Sequence, residues 1–150
     1  MSVYYDILTS CQTAVQALGL TGIANAQIVV RKLPKATDTL ETLPQIAICP
    51  AEEPEQVKPF TFEGKVDVVY PVELVLIAAG NRDYSANLDA YLGHREKMRR
   101  AFQRPTLTGA STVWDTEITP DPAYDRARLN SSYEYLGMRV LFHSIEQRDN

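Results

Sequence analysis

The chain has 150 residues, 45% of them hydrophobic, and its 15 basic and 19 acidic side chains leave a formal charge of −4. That length makes one domain, residues 1–150, able to bury roughly 70% of the surface its unfolded form exposes. The acidic balance argues against nucleic-acid binding by the whole surface and leaves only local basic patches to consider. Two cysteines, Cys11 and Cys49, sit in apolar stretches outside any C-x-x-C spacing, which points to buried thiols of a reducing compartment rather than a disulfide framework.

The N-terminal stretch MSVYYDILTS lacks the basic start and continuous apolar core of a signal peptide. No apolar run approaches the roughly 20 residues of a membrane helix, so a soluble protein made in the cytoplasm, without membrane association, is expected. Val3, Tyr4, Ile7, Leu8, Cys11, Ala14, Val15 and Leu18 recur at steps of three and four, which predicts a helix over 2–18 ended by Gly19. Residues 26–33, rich in β-branched side chains and stopped by Pro34, predict a first strand. After a loop over 34–43, the proline-bracketed stretch 44–50 predicts a short second one.

Residues 51–59 carry three glutamates and two prolines and read as an exposed loop. Phe60 and Phe62 then alternate with polar neighbours, and Gly64 turns the chain. The longest apolar segment follows, KVDVVYPVELVLIAAG over 65–80. Val66, Val68, Tyr70, Val72, Leu74 and Leu76 share one face, with Asp67, Glu73, Val75 and Ile77 on the other, so it reads as a long strand that starts wet and ends deep in a sheet. Pro71 cannot donate a ladder hydrogen bond, which predicts a strand edge or a bulge there.

A second helix is expected over 81–104, with Tyr84, Leu88, Tyr91, Leu92, Met98 and Phe102 as its apolar stripe and Asp83 or Ser85 as N-cap. After a polar connection over 106–112, residues 113–118 alternate as a strand, 119–132 form a turn-rich loop, and 133–146 make a second long strand before a polar tail. Together these elements predict an α/β (α+β) fold. It is a two-layer sandwich in which a mainly antiparallel, twisted sheet carries both helices on one face, with Leu74, Leu76, Leu88, Leu92, Phe102, Leu136, Met138 and Val140 in the core.

No catalytic, cofactor or metal signature is present. His94, placed on the basic side of helix two, and His143, on the last strand, stand in none of the spacings that zinc or hydrolase sites need. The pair Gly19 and Gly22 follows a helix rather than a strand, the wrong order for a phosphate-cradling turn. The basic cluster Arg95, Lys97, Arg99, Arg100 and Arg104 leaves two readings open. It is either a solvated helix face interrupted by Glu96, or a contact with phosphate or with the acidic groups of a neighbouring subunit.

In its order of elements the chain resembles the tail-terminator and neck proteins of long-tailed bacteriophages. The resemblance is carried by the N-terminal helix VYYDILTSCQTAVQAL, the strand VDVVYPVELVLIAAG running into the helix NLDAYLGHREKMRRAF, and the closing strand YLGMRVLFHSIEQRD. It implies a structural virion protein without enzymatic activity, forming a homohexameric ring that caps the tail tube and joins it to the head connector, with DNA passing through the lumen without specific binding. Assembly would take place in the host bacterial cytoplasm. The expected subunit contact sets Arg95, Arg99, Arg100 and Arg104 of one copy against Glu52, Glu53 and Glu55 of the next. The alternatives are another neck, head-completion or minor tail protein, or a small nucleic-acid-processing factor or bacterial adaptor using the basic face of helix two.

Overall fold

The first helix starts where the sequence supplies a cap. Ser2 is extended and its hydroxyl accepts the Tyr5 amide at 3.3 Å, so α1 runs Val3–Gln16. It ends two residues earlier than expected, because the last turn tightens into i→i+3 bonds from Leu18 and Gly19 before Gly19 reverses the chain at φ +60°. The computed structural model describes residues 2–34, 43–59, 64–80, 83–119, 121–127 and 133–147. Phe60 and Phe62, Asn81 at the expected start of the second helix, most of the expected loop over 34–43, part of that over 119–132 and the tail end at 148–150 lie outside the described residues.

The strands are β1 (Ile28–Val30), β2 (Gln45–Pro50), β3 (Gln56–Pro59), β4 (Lys65–Ala79), β5 (Val113–Thr119) and β6 (Tyr133–Gln147). They form a six-stranded sheet of order β1-β2-β4-β6-β5, with β3 pairing β4 on the same side as β2. Among the described residues only the β1–β2 pair is parallel. The long strands β4 and β6 pair along their whole lengths, Lys65 opposite Gln147 and Ala79 opposite Tyr133.

The expected α+β sandwich is therefore present. The even-numbered side chains of β4, together with Leu136, Met138, Val140 and Phe142, meet Ile7, Leu8, Cys11 and Val15 of α1 and Met98 and Phe102 beside α2 (Leu88–Ala101) in one apolar cluster. The opposite face has a smaller cluster of Ala47, Cys49, Val75, Ile77 and Tyr135, with Leu43 and Tyr133 packed on it. Burial on both faces explains why the second half of β4 has no polar face. Both cysteines are buried and outside any disulfide, Cys11 under α1 and Cys49 on the other side, and burial pushes the Cys11 thiol well above its ordinary value.

Several expectations are corrected. The first strand is three residues long rather than eight, because a 3-10 turn occupies Asn25–Gln27, where the Gln27 side chain accepts the Ala24 amide at 2.6 Å and donates to Pro44 O at 2.9 Å. The loop expected over 51–59 contains β3, whose four side chains are all exposed. Main-chain pairing with β4 makes this strand, so no apolar alternation marks it. Pro71 is at neither a sheet edge nor a bulge: it lies opposite Leu141 in the central strand. Its carbonyl accepts the Ala51 amide at 3.0 Å, and its missing N–H faces the same side, the seam where β2 gives way to β3.

The second helix begins at Leu88, not Asn81, because Asn87 takes a left-handed φ of 61° and makes no side-chain cap. Tyr84, expected on the apolar stripe, is consequently 96% exposed, and Leu88, expected in the core, is 39% exposed, while Leu92 is half-buried. His94 belongs to the buried stripe with Met98 and Phe102, not to the basic side: its Nε2–H donates to Thr21 O at 3.0 Å.

Candidate functional site

The basic and acidic groups expected to form a subunit contact do not meet within the subunit. Arg95 is spent internally: its guanidinium donates to Gly137 O and, at 2.7 Å, to Asp121 O, tying α2 over the end of β5 to the next stretch along β6. Burial pulls its pKa below the ordinary arginine value, Asp121 opposing and Arg99 adding to the shift. Arg99, Arg100 and Arg104 are exposed, Arg100 only 3.9 Å from Glu96 one turn back. The Thr116 hydroxyl of β5 lies within reach of Phe102 O and Arg104 O, at 2.8 and 2.5 Å, and so fixes this basic end at the β5 margin.

Among the acidic residues, Glu53 reaches across the opposite face of the sheet to Arg139 at 3.3 Å. Glu52 and Glu55 stay exposed on the link between β2 and β3. Burial is the largest cause raising two phenols on the helix face: Tyr4 is pushed up to about 12 with Glu55 as the next cause, and Tyr70 goes higher still with its hydrogen bond to Glu146 next and Glu55 a lesser cause. Tyr4 and Tyr70 pack with ring centroids 4.9 Å apart, and the Tyr4 hydroxyl donates to Pro71 O. The acidic link thus belongs to the β2/β3 margin, and the basic end of α2 to the β5 margin.

A cluster that sequence reasoning missed lies on the opposite face. His143 Nδ1 and Asp67 Oδ2 are 2.9 Å apart, Trp114 Nε1 donates to Asp67 Oδ1 at 3.1 Å, and the indole stands edge-on to the imidazole at 5.7 Å. His143 Nε2 is 3.5 Å from Glu117 Oε2 and makes no hydrogen bond of its own. A carboxylate-oriented imidazole is the base half of a nucleophilic site, but the other half requires a hydroxyl or thiol at the free ring nitrogen. Here the exposed Glu117 carboxylate is the group near that nitrogen, and the cluster ties β4, β6 and β5 together. Among the described residues no cluster of His, Cys, Asp and Glu has the geometry to hold a metal ion. The polar alternation of Asp67 and His143 is visible in the sequence; the register that joins them, 76 positions apart, is not.

Between this face and residues 121–127 lies a cavity of about 560 Å³. Its floor is Glu73, Val75, Tyr135, Gly137 and Arg139, and its wall is Asp121, Pro122, Tyr124, Asp125 and Arg126. Backbone bonds hold the wall: Tyr124 bridges to Leu136, and the Asp125 amide donates to Tyr135 O at 2.9 Å. Arg95 anchors both sides of this cavity through Gly137 and Asp121.

No family model matches the chain, and none of the curated proteins is significantly similar to it. No helix among the described residues is long and apolar enough to cross a membrane.

Proposed function

We propose that this chain is a ring-building structural protein of a phage neck, a tail terminator that caps the tail tube and joins it to the head connector. The observation that carries this reading is the pair of unlike margins on one sheet. The exposed strand β3 and its acidic link, Glu52 and Glu55, lie on one side, and the basic end of α2, Arg99, Arg100 and Arg104, lies on the other. A head-to-tail contact needs two different, complementary surfaces on each copy, and it closes into a ring when the rotation per copy is right. Opposite charges on those surfaces set register and encounter rate more than affinity.

This reading draws on Arg99, Arg100, Arg104, Glu52 and Glu55, since Arg95 and Glu53 already have partners inside the subunit. The working form is a homohexamer seated on the tail-tube protein and facing the connector, incorporated in the virion after assembly in the host cytoplasm, with DNA passing through its lumen unbound. A different neck, head-completion or minor tail position draws on the same margins. The nucleic-acid-processing alternative loses Arg95 from its basic face, and Glu96 lies beside Arg100. Electron microscopy of tail tubes incubated with the pure protein tests the reading: closed rings at tube ends support it. Salt-dependent sub-micromolar DNA binding without rings replaces it with the alternative.

A further inference from the structure

The outer edge of β5 is accessible. None of Asp115, Thr116, Glu117 and Ile118 is buried, and Asp115, Thr116 and Ile118 share a groove of about 380 Å³ with Arg104 and Pro105, which follow α2. An edge of this kind presents main-chain donors and acceptors to any strand that comes alongside.

The ladder fixes which groups face out. The Ile145 amide donates to Thr112 O, so Ile145, His143 and Leu141 direct their main-chain groups at β5, and the alternate residue Phe142 directs its own at β4. Thr116 lies opposite Phe142, so its N–H points away from β6, over the outer edge. There it is already taken: Asp115 Oδ1 accepts the Thr116 amide at 2.9 Å. The irregularity between Val113 and Asp115 disturbs the same edge just before it.

The other free edges are short, three residues in β1 and four in β3. Tyr70 faces Phe142 of β6, so Asp67 and Val69 of β4 face β3, and Gln56 and Lys58 face them in return. Val57 and Pro59 are left facing out, and Pro59 has no N–H to offer. On β1 the Arg31 amide donates to Ile48 O, which sets Val29 toward β2 and Ile28 outward, and Gln12 Nε2 donates to Ile28 O at 2.9 Å.

We propose that Asp115 closes the β5 edge to strand pairing, so that copies of this chain meet through side chains rather than by running one sheet into the next. The closure stands on the subunit alone; what it says of contacts between copies deepens the ring reading and rests on it. Without Asp115, the outward N–H and C=O of Thr116 exchange bonds with those of a second copy, an antiparallel pair about a twofold axis.

The test is sedimentation of Asp115→Ala over a range of protein concentrations, with amide exchange read at Thr116. The variant should form dimers that the parent lacks, growing with concentration. Its Thr116 amide should exchange about tenfold faster than the parent's in dilute protein and regain protection in the dimer. Asp115→Asn drops the charge but keeps a side-chain carbonyl to accept the amide, so it should behave as the parent does. Asp115→Val, a better strand former, replaces alanine should that variant lower the Tm. A folded Asp115→Ala or Asp115→Val without added dimers, or Asp115→Asn pairing as readily, overturns the proposal, as does a ring whose sheets join edge to edge. Parent rings on tail tubes with no new dimers from Asp115→Ala keep the ring and remove the closure. New dimers from Asp115→Ala with no parent rings keep the closure and remove the ring.

Discussion

Asp67 of β4 and His143 of β6 meet diagonally across the two strands, their carboxylate oxygen and imidazole nitrogen 2.9 Å apart and both side chains only 8% exposed. Trp114 completes the carboxylate's hydrogen bonding from β5, so removing one partner leaves buried polar groups unsatisfied. Asp67→Ala should lower stability by about 1–3 kcal/mol, a Tm fall of roughly 2–12 °C in a chain this long. Calorimetry of Asp67→Ala, His143→Ala and the double variant should show non-additive losses; additive losses would mean that the two residues do not act as a pair.

His94 gives the fold an acid-sensitive term. Burial, the largest cause, and Lys97 hold its pKa below the ordinary 6.5, against the opposing pull of the Thr21 carbonyl. The unfolded chain therefore binds the proton first as pH falls, so this contribution is complete above 6.5 and is lost as pH drops toward the folded value. Urea titrations at about pH 7.5 and about pH 5.5 should show a loss in the parent that His94→Gln lacks. Equal losses in both proteins would rule His94 out as the source.

Tyr4 acts at the alkaline end. Its phenol is pushed up to about 12 from 10.0, so between these values the unfolded chain ionises while the folded one does not, and stability falls as pH rises above 10.0. Tyr4→Phe should flatten that fall. At neutral pH it should cost about 0.5–1.5 kcal/mol, since Pro71 O keeps its bond from Ala51 N. An alkaline unfolding profile unchanged by the substitution would contradict this.

The two long strands and α1 were legible because their apolar side chains alternate or recur over many residues, and burial follows that pattern at Leu74, Leu76, Leu136, Met138 and Val140. The short strand β3 was not, because Gln56, Val57, Lys58 and Pro59 are all exposed and pairing alone makes the strand. Tyr84 and Leu88 misled because helical spacing continues through them, while the left-handed Asn87 starts the helix later. The Asp67–His143 pair and the cavity depend on register between distant strands, which periodicity does not encode. Leu74→Ala should thus cost about 2–5 kcal/mol and Leu88→Ala less than about 1 kcal/mol. Similar losses on denaturant titration would place Leu88 back in the core.

The margin contact makes an electrostatic prediction. Arg99→Glu with Arg104→Glu should abolish ring formation at low salt, and adding Glu52→Arg with Glu55→Arg should restore it, because the reversed charges again complement each other. Sedimentation with electron microscopy reads both outcomes. Normal rings from the first variant, or no rescue by the second, would move the contact elsewhere on the surface.

The central claim is tested most directly by cryo-electron microscopy of the intact particle that contains this chain. The account predicts one closed, sixfold ring of this protein between the tail tube and the head connector, with β3 of each copy beside the basic α2 end of the next. Finding the chain away from the head–tail junction, or in no closed ring at all, would contradict it.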